Sequence, residues 1–210
     1  NFTKDDIFIR DRTTDTTSIA SLLPGGGSHD SFGGYSAIAL SGDGSTLAFS
    51  TTIPGYAGEA SNEFDQDTFV RDLASGDLTV ANTTLLGSRL TSSGSGSELA
   101  LSHDGAYLAF DFHNSGLIPY PTDESTNVLL FVRHIPSGSL YIASKAAGDS
   151  LPYGSVNAVS MTPDAASVVF ASSMEGLATG GNPTEDDIFA GPSGVNDPRK
   201  WLFFDAQTSE

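Results

Sequence analysis

Short runs of alternating apolar and small residues recur along the chain. In segment 37–41, Ile38 and Leu40 alternate with Ala and Ser, and segments 98–102 and 158–162 repeat this alternation. An apolar residue at every second position is typical of a β-strand that packs one face. The pattern therefore predicts a chain built from short strands.

Each of these strands runs into a polar turn and then a second apolar strand. The second strands carry Leu-Ala-Phe or Val-Val-Phe, with Phe49, Phe110 and Phe170 spaced 61 and 60 residues apart. An Asp-Gly turn between two strands is a strong hairpin signal. The sequence therefore predicts three β-hairpins, with turns at Ser41–Gly44, Ser102–Gly105 and Thr162–Ala165.

A second marker repeats in phase with the first, and its Phe residues are 61, 62 and 58 residues apart. The four copies are Asp6–Asp11, Asp67–Asp72, Leu129–His134 and Asp187–Pro192. Turn sequences follow the second and third copies and predict a fourth strand at 78–82 and 140–144, whereas the first copy continues as the hairpin 12–20. Two markers with one period indicate an internal repeat of four antiparallel strands.

Four antiparallel strands that recur as a unit are typical of a β-propeller blade. The markers Ser-x-Asp-Gly-x-x-Leu-Ala-Phe and Asp-x-Phe-Val-Arg-Asp resemble the PD40 repeats of TolB-like β-propellers, from Asp5 to about Pro192. The resemblance implies an all-β propeller of four-stranded antiparallel blades. It implies no single function, because such repeats occur in periplasmic translocation factors, in accessory domains of serine peptidases and in secreted or surface proteins. The copies depart from the marker at His134 and at Gly191-Pro192, and we expect less regular strand pairing at the latter.

The strand count gives about three and a half blades in one propeller domain or segment that spans residues 1–210. A half blade at 5–20 precedes blades at about 36–82, 97–144 and 155–204. Propellers typically close with about four to eight blades. Three interpretations stay open: a fragment of a longer chain, a ring completed by another copy, or unpaired edges that join copies head to tail.

Composition and charge narrow the class of partner. Lys and Arg contribute 9 residues and Asp and Glu 26, so the net charge of −17 repels nucleic acid and anionic lipid. No apolar run approaches the roughly 20 residues of a membrane span. Cysteine is absent, which excludes disulfides and thiolate metal sites. The Ser-, Thr-, Gly- and Asp-rich surface, poor in Lys, predicts an extracellular, cell-surface or periplasmic location.

Catalytic motifs are missing from the sequence. It contains no Gly-x-Ser-x-Gly elbow, and none of its four His residues has a zinc-binding spacing. We therefore expect a non-enzymatic scaffold or binding module that contacts a protein partner, or further copies of itself, through blade loops and edge strands. The alternatives are a self-assembling extracellular fibre or surface-layer subunit and the accessory propeller of a larger hydrolase.

Acidic loops precede the third strand in each repeat and suggest Ca²⁺ as the only candidate cofactor. Clustered carboxylate oxygens in a loop suit this ion, although no copy contains Asp-x-Asp-x-Asp-Gly and a solvated acidic loop needs no ion. The candidate ligands are Glu63, Asp65, Asp67, Asn182, Glu185 and Asp187.

Two further groups of residues stand out at repeated or terminal positions. An Arg occupies the same place on the third strand in three copies, Arg10, Arg71 and Arg133. We expect each to pair with a carboxylate on a neighbouring strand, and the alternative is a binding role for these repeated Arg residues. Near the C-terminus, a predicted strand carries large aromatic residues that form either core or an anchor for another subunit. These are Trp201, Phe203 and Phe204.

Overall fold

The computed structural model describes residues 5–29, 33–56, 66–89, 96–113, 117, 128–145, 153–177 and 187–192. All regular structure in these residues is β-strand. The described residues include no helix that is long and apolar enough to cross a membrane. The strands are β1 (Phe8–Asp11), β2 (Thr16–Ile19), β3 (Tyr35–Leu40), β4 (Thr46–Thr51), β5 (Asp67–Asp72), β6 (Leu78–Val80), β7 (Leu99–Leu101), β8 (Tyr107–His113), β9 (Val128–His134), β10 (Leu140–Ile142), β11 (Val156–Met161), β12 (Ser167–Ser172) and β13 (Asp187–Pro192).

These strands form separate antiparallel sheets in chain order. The first blade is β3-β4-β5-β6, the second is β7-β8-β9-β10, the third is β11-β12-β13, and an N-terminal hairpin consists of β1 and β2. The prediction of an all-β propeller with four-stranded antiparallel blades is therefore confirmed. The predicted last strand, around residues 200–204, lies outside the described residues.

The repeated Ser/Thr-x-Asp sequence builds the turn between the first two strands of each blade. In the first blade the Ser41 hydroxyl donates to the Asp43 carboxylate at 2.7 Å, and the backbone N–H of Ser45 donates to the same oxygen at 2.9 Å. Gly44 completes the turn with a φ of +74°, which favours glycine. The turns of the other two blades repeat these bonds. The marker thus satisfies backbone groups that the reversal of the chain would leave unpaired.

The two repeated Phe residues of each blade meet across neighbouring strands. Phe49 on β4 lies opposite Phe69 on β5, and their rings stack with centroids 5.5 Å apart. The same pairing joins Phe110 to Phe131 at 5.8 Å and Phe170 to Phe189 at 5.7 Å. The Phe-to-Phe register therefore aligns the second and third strands of every blade.

The blades stack face to face, as the repeat requires. β7 packs between β3 and β11, and the largest core cluster joins side chains of all three blades around Phe110 and Phe131. Their turns also touch, because Asp43 N donates to His103 O at 2.9 Å and His103 N donates to Pro163 O at 2.8 Å. A single blade could not bury these faces alone.

The expectation of irregular pairing at Gly191-Pro192 was wrong. β13 pairs with β12 at six successive positions, including Pro192 opposite Ser167, without a bulge. Proline is tolerated there because β13 is an edge strand of the described sheet and Pro192 is its last residue. The departure at His134 is also accommodated, since its Nδ1 lies 2.7 Å from the Ser137 hydroxyl in the turn.

Candidate interaction surface at the N-terminal hairpin

Among the described residues, the N-terminal hairpin has only the third and fourth strands of a blade. By the repeat, β1 corresponds to β5, β9 and β13, and it pairs on one side with β2, Phe8 lying opposite Ile19. No described strand pairs with its other side. Phe8 is consequently 60% exposed, whereas its counterparts Phe69 and Phe131 are 1% and 0% exposed.

The face of the first blade that follows this hairpin is also uncovered. On β3 the side chains of Tyr35, Ala37 and Ala39 are half-buried, whereas Ile38 and Leu40 are 53% and 51% exposed. Their counterparts Leu99 and Leu101 on β7 are partly buried against the core shared with the first blade. Phe8 thus lies on a strand with one unpaired side among the described strands, and Ile38 and Leu40 lie on an exposed face of β3. These two apolar sites are here together called the N-terminal groove, and by the repeat both border the place of a first and second strand that the described hairpin does not include.

The cavity beside the N-terminal hairpin is larger than the equivalent cavity between two blades. The cavity between the hairpin and the first blade has a volume of about 670 Å³ and is lined by Ile9, Leu40 and Arg71 among others. The equivalent cavity between the first and second blades measures about 360 Å³ and includes Arg133. In the larger cavity, Leu40 and the turn at 43–44 are accessible, because no inner hairpin covers them.

The repeated Arg residues of the first and second blades form hydrogen bonds to the unit that precedes each blade. The prediction that these two Arg residues pair with carboxylates was wrong, because their partners are backbone carbonyls. Arg71 donates through Nη1 to Gly76 O at 3.1 Å and through Nη2 to Leu22 O. The second blade repeats both bonds with Arg133, Gly138 and Thr83. Burial lowers the pKa of Arg133 to about 10. In the hairpin, Arg10 differs, because it is exposed and pairs with Asp15.

Charge does not dominate the wall of the larger cavity. Arg10, Arg12 and Arg71 line it together with three carboxylates, those of Asp11, Asp43 and Asp72. The backbone N–H of Ser45, followed by the hydroxyls of Ser41 and Ser45, lowers the pKa of Asp43 to about 2. Each of these three carboxylates accepts hydrogen bonds from backbone N–H groups of its own turn. With three Arg and three Asp, the wall has no excess of either sign, so apolar contact is the main interaction it offers.

The opposite end of the stack exposes a second apolar face. Val169 on β12 and Ile188 on β13 are 40% and 80% exposed, and they border a shallow cavity of about 190 Å³. The remaining lining of this cavity is mostly small, including Ala158 and Ser160. The third blade thus exposes apolar side chains of its second and third strands.

The predicted calcium ligands are only partly described. Asp67 is buried at the start of β5, and its two carboxylate oxygens accept from Arg89, with a further bond from Asn82 Nδ2 at 2.9 Å. Asp187 begins β13 opposite Ser172. Glu63, Asp65, Asn182 and Glu185 lie outside the described residues. Within the described ranges no group of three or more His, Asp or Glu side chains could hold a metal ion, and the calcium site stays a prediction.

A pair of carboxylates in the second blade escaped sequence reasoning. Asp111 is buried on β8, where it accepts bonds from Glu98 N at 2.8 Å and from the Ser97 hydroxyl at 3.1 Å. Burial, and then the nearby charge of Asp111, raises the pKa of Glu98. The first and third blades have Ser50 and Ala171 at the position of Asp111, so a comparison of the repeats could have singled it out. These bonds hold the residues just before β7 against β8, so Asp111 stabilises the blade.

Two other predicted features lie outside the described residues. The C-terminal aromatic residues Trp201, Phe203 and Phe204 are among them, and so is most of the loop between the second and third strands of each blade. The groove residues Phe8, Ile38 and Leu40 were seen in the sequence only as scaffold positions. The signal that could have identified them is the half blade itself, because a third strand without a second strand must expose its repeated Phe.

Comparison with solved structures places this arrangement among β-propellers. The chain resembles TolB from Acinetobacter baumannii with a TM-score of 0.50 and 13% identity, covering 90% of this chain and 36% of that chain. It also resembles the tricorn protease, at a TM-score of 0.48 and 16% identity over 95% of this chain and 17% of that one. A third similar structure is the β-propeller domain of the Trilobed protease from Pyrococcus furiosus. Its TM-score is 0.42 and its identity is 12%, and the match covers 69% of this chain and 35% of that chain.

No protein-family model and no curated protein matches the chain. The chain spans little more than a third of the TolB chain that it resembles. At 13% identity the likeness shows the fold alone, and the described sheets are therefore identified as part of a β-propeller.

Proposed function

We propose that the chain is a non-enzymatic, TolB-like propeller module of an exported or cell-surface protein that binds other polypeptides through its blade edges and loops. The observation that carries this proposal is the N-terminal groove, where Phe8, Ile38 and Leu40 are each more than half exposed. Clusters of large exposed apolar side chains mark interaction sites in soluble proteins. The net charge of −17 disfavours binding to nucleic acid and to anionic membranes, which carry the same sign of charge.

The location is part of the same proposal. A composition rich in Ser, Thr, Gly and Asp, with 26 acidic and 9 basic residues, supports an exported or surface setting. The propeller scaffold supports binding because its inner strands and turns are rigidly tied between blades, which leaves edges and loops to vary.

Site-specific photocrosslinking in the source cells tests the proposal. A photoreactive phenylalanine analogue is placed at Phe8, at Ile188 and, as a matched control, at the exposed turn residue Asp77. We expect discrete crosslinked polypeptides at position 8 or 188 that are absent at position 77. Identical patterns at all three positions would overturn the proposal. Turnover of an ester, peptide or glycoside panel that a single loop substitution abolishes would overturn its non-enzymatic part.

Self-assembly is the second candidate function, favoured by the apolar residues Val169 and Ile188 at the far face of the third blade. A strand edge and an apolar face at each end of the stack allow copies to associate. Light scattering behind size exclusion over a dilution series tests it. Masses above 21.8 kDa that fall on dilution would support self-assembly, and a constant monomer mass would exclude it.

A further inference from the structure

The cavity between the first and second blades, here called the inter-blade cavity, carries charge of one sign. Its volume is about 360 Å³, and its wall consists of residues of β6, of the turn at 83–87, of the turn after β9, and Arg133. Arg133 is the one charged side chain among the described residues of this wall. The chain as a whole has 26 acidic and 9 basic residues, so the cavity attracts negative charge where the rest of the molecule repels it.

The guanidinium of Arg133 is buried and only partly satisfied. It is 4% exposed, and it donates through Nη1 to Gly138 O at 2.9 Å and through Nη2 to Thr83 O. A guanidinium carries five N–H donors, and the Nε–H of Arg133 has no acceptor among the described residues. Both of its acceptors are neutral carbonyls, and burial lowers the pKa of Arg133 to about 10. A buried cation in this state favours an anion that can reach it, because the anion offsets the cost of its desolvation.

The equivalent cavity beside the N-terminal hairpin differs in charge. Arg71 holds the place of Arg133 there, makes the same two bonds to carbonyls and likewise has no acceptor for its Nε–H. Three Asp and three Arg side chains line that cavity, however, so its own carboxylates balance its cations. The lack of a carboxylate is therefore a property of the inter-blade cavity and not of the repeat.

The rest of the wall indicates what accompanies the negative charge. Its larger side chains are aliphatic, those of Val80, Leu85, Leu86 and Ile135. Leu86 is 78% exposed, so it lies where the cavity opens to solvent. One Arg balances one negative charge, whereas a phosphate carries more charge than this wall could neutralise. A cavity of this size suits a small ligand that has an apolar body and a single polar group.

From these features we infer that the inter-blade cavity binds a monocarboxylate carried on a short aliphatic group. The carboxylate accepts hydrogen bonds from the N–H groups of Arg133 that the two carbonyls leave unused, and the aliphatic group packs against Leu85 and Ile135. Two sources share this chemistry, a free aliphatic acid and the C-terminus of a polypeptide that ends in an aliphatic residue. The inference goes beyond the proposed function, because it needs none of the residues of the N-terminal groove.

A nuclear magnetic resonance titration of the full chain tests the inference. The probe is 4-methylpentanoate at neutral pH, and the control compound is 4-methylpentanamide, which has the same shape without the charge. Binding should shift the Nε–H signal of Arg133 and the amide signals of Leu86 and Ser137, and should leave the Nε–H signal of Arg71 unchanged. We expect the acid to bind at least about tenfold more tightly than the amide, because a charge-assisted hydrogen bond is about twice as strong as a neutral one.

A matched pair of variants at the opening isolates the effect of charge. Leu86→Asp and Leu86→Asn are of similar size, and both should fold, because Leu86 is exposed. The acid should bind the Leu86→Asp chain about fivefold more weakly than the Leu86→Asn chain, since a like charge at the opening repels it. The amide should not distinguish the two variants. Arg133→Met should abolish the preference for the acid over the amide, and a urea denaturation curve checks that this variant is folded.

Several results would overturn the inference. These are equal binding of acid and amide, shifts at Arg71 in place of Arg133, no shift of the Arg133 Nε–H signal at millimolar acid, or equal affinity of the two Leu86 variants for the acid.

A peptide arm separates the two sources of the carboxylate. N-acetyl-Gly-Gly-Leu with a free C-terminal carboxylate is titrated in the same way. Tighter binding than that of 4-methylpentanoate would support a polypeptide C-terminus as the ligand, and weaker binding would support a free acid. The photocrosslinking at Phe8 and Ile188 does not involve Arg133, so the failure of either proposal leaves the other standing.

Discussion

The N-terminal hairpin and the second blade contain the same repeat in two different settings. Phe131 lies on β9 between two strands, is completely buried and stacks on Phe110. Phe8 has the same place on β1 but lacks the second strand, and 60% of its surface is exposed. The environment of a repeated residue thus depends on which strands are present beside it, and an apolar position is exposed when one strand is missing.

The repeated Arg also has different partners in these two settings. Arg133 crosses from its own turn to the unit before it, whereas Arg10 pairs with Asp15 within the hairpin. One side chain therefore stabilises the contact between blades in one setting and stays on the surface in the other.

The largest expected effect comes from truncating the repeated Phe in the two regions. Phe131→Ala should lower the free energy of unfolding by about 3–5 kcal/mol, because it leaves a cavity in the core. Phe8→Ala should change it by less than about 0.5 kcal/mol, because its side chain is already exposed. Urea denaturation followed by fluorescence measures both. Similar losses for the two variants would contradict the comparison and show that Phe8 is buried in solution.

The next effect concerns the arginines. Arg133→Met should cost about 1–3 kcal/mol, since it removes two charge-assisted bonds to the carbonyls of the half-buried residues Thr83 and Gly138. Arg10→Met should be within about 0.5 kcal/mol of the parent, as an exposed pair contributes little. The same denaturation experiment compares them. Arg133→Lys serves as a control for charge, and we expect it to rescue little, because an ammonium cannot span both carbonyls.

A smaller effect separates the turns that follow β9 and β1. Gly138 has a φ of +73°, and Asp15 holds the equivalent place at +59°. Gly138→Ala should destabilise by about 1–2 kcal/mol, because a Cβ is disfavoured in this region. Asp15→Gly should raise stability by less than about 1 kcal/mol, since relief of strain is partly offset by chain entropy and the loss of the Arg10 pair. Thermal unfolding midpoints would show shifts of opposite sign.

The smallest effect is the acid dependence of the turns. The pKa of Asp43 is lowered to about 2 from 3.8, so its contribution is present above pH 3.8 and is lost as the pH falls towards 2. Asp43→Asn removes this titration and should flatten the fall in stability between pH 4 and pH 2. The pKa of Asp11 in the N-terminal hairpin is also lowered, chiefly by the Thr14 hydroxyl. Asp11→Asn should flatten this fall less, because Asp11 ends a strand of a two-stranded hairpin, whereas Asp43 lies in the turn of a four-stranded blade. An equal flattening by both variants would contradict this difference.

Much of the fold could be predicted because its signals are local. The Ser/Thr-x-Asp turns satisfy their own backbone groups, as the bonds of Asp43 show, and strand alternation needs no knowledge of neighbours. The partners of Arg71 could not be predicted, because one of them, Leu22 O, belongs to the preceding unit and is a backbone atom. Asp67 was taken for a calcium ligand for the same reason, since nothing local shows that Arg89 reaches it.

The sequence by itself determined the repeat, the strand order within each blade, the turn chemistry and the Phe-to-Phe register. These depend on residues within one blade, where spacing along the chain limits what can meet. Only the tertiary structure decided which apolar positions are covered. Ile38 and Leu99 occupy equivalent places in the repeat, yet one is exposed and the other is partly buried. Burial depends on the adjacent blade, and the groove arises where the N-terminal hairpin provides only half of one.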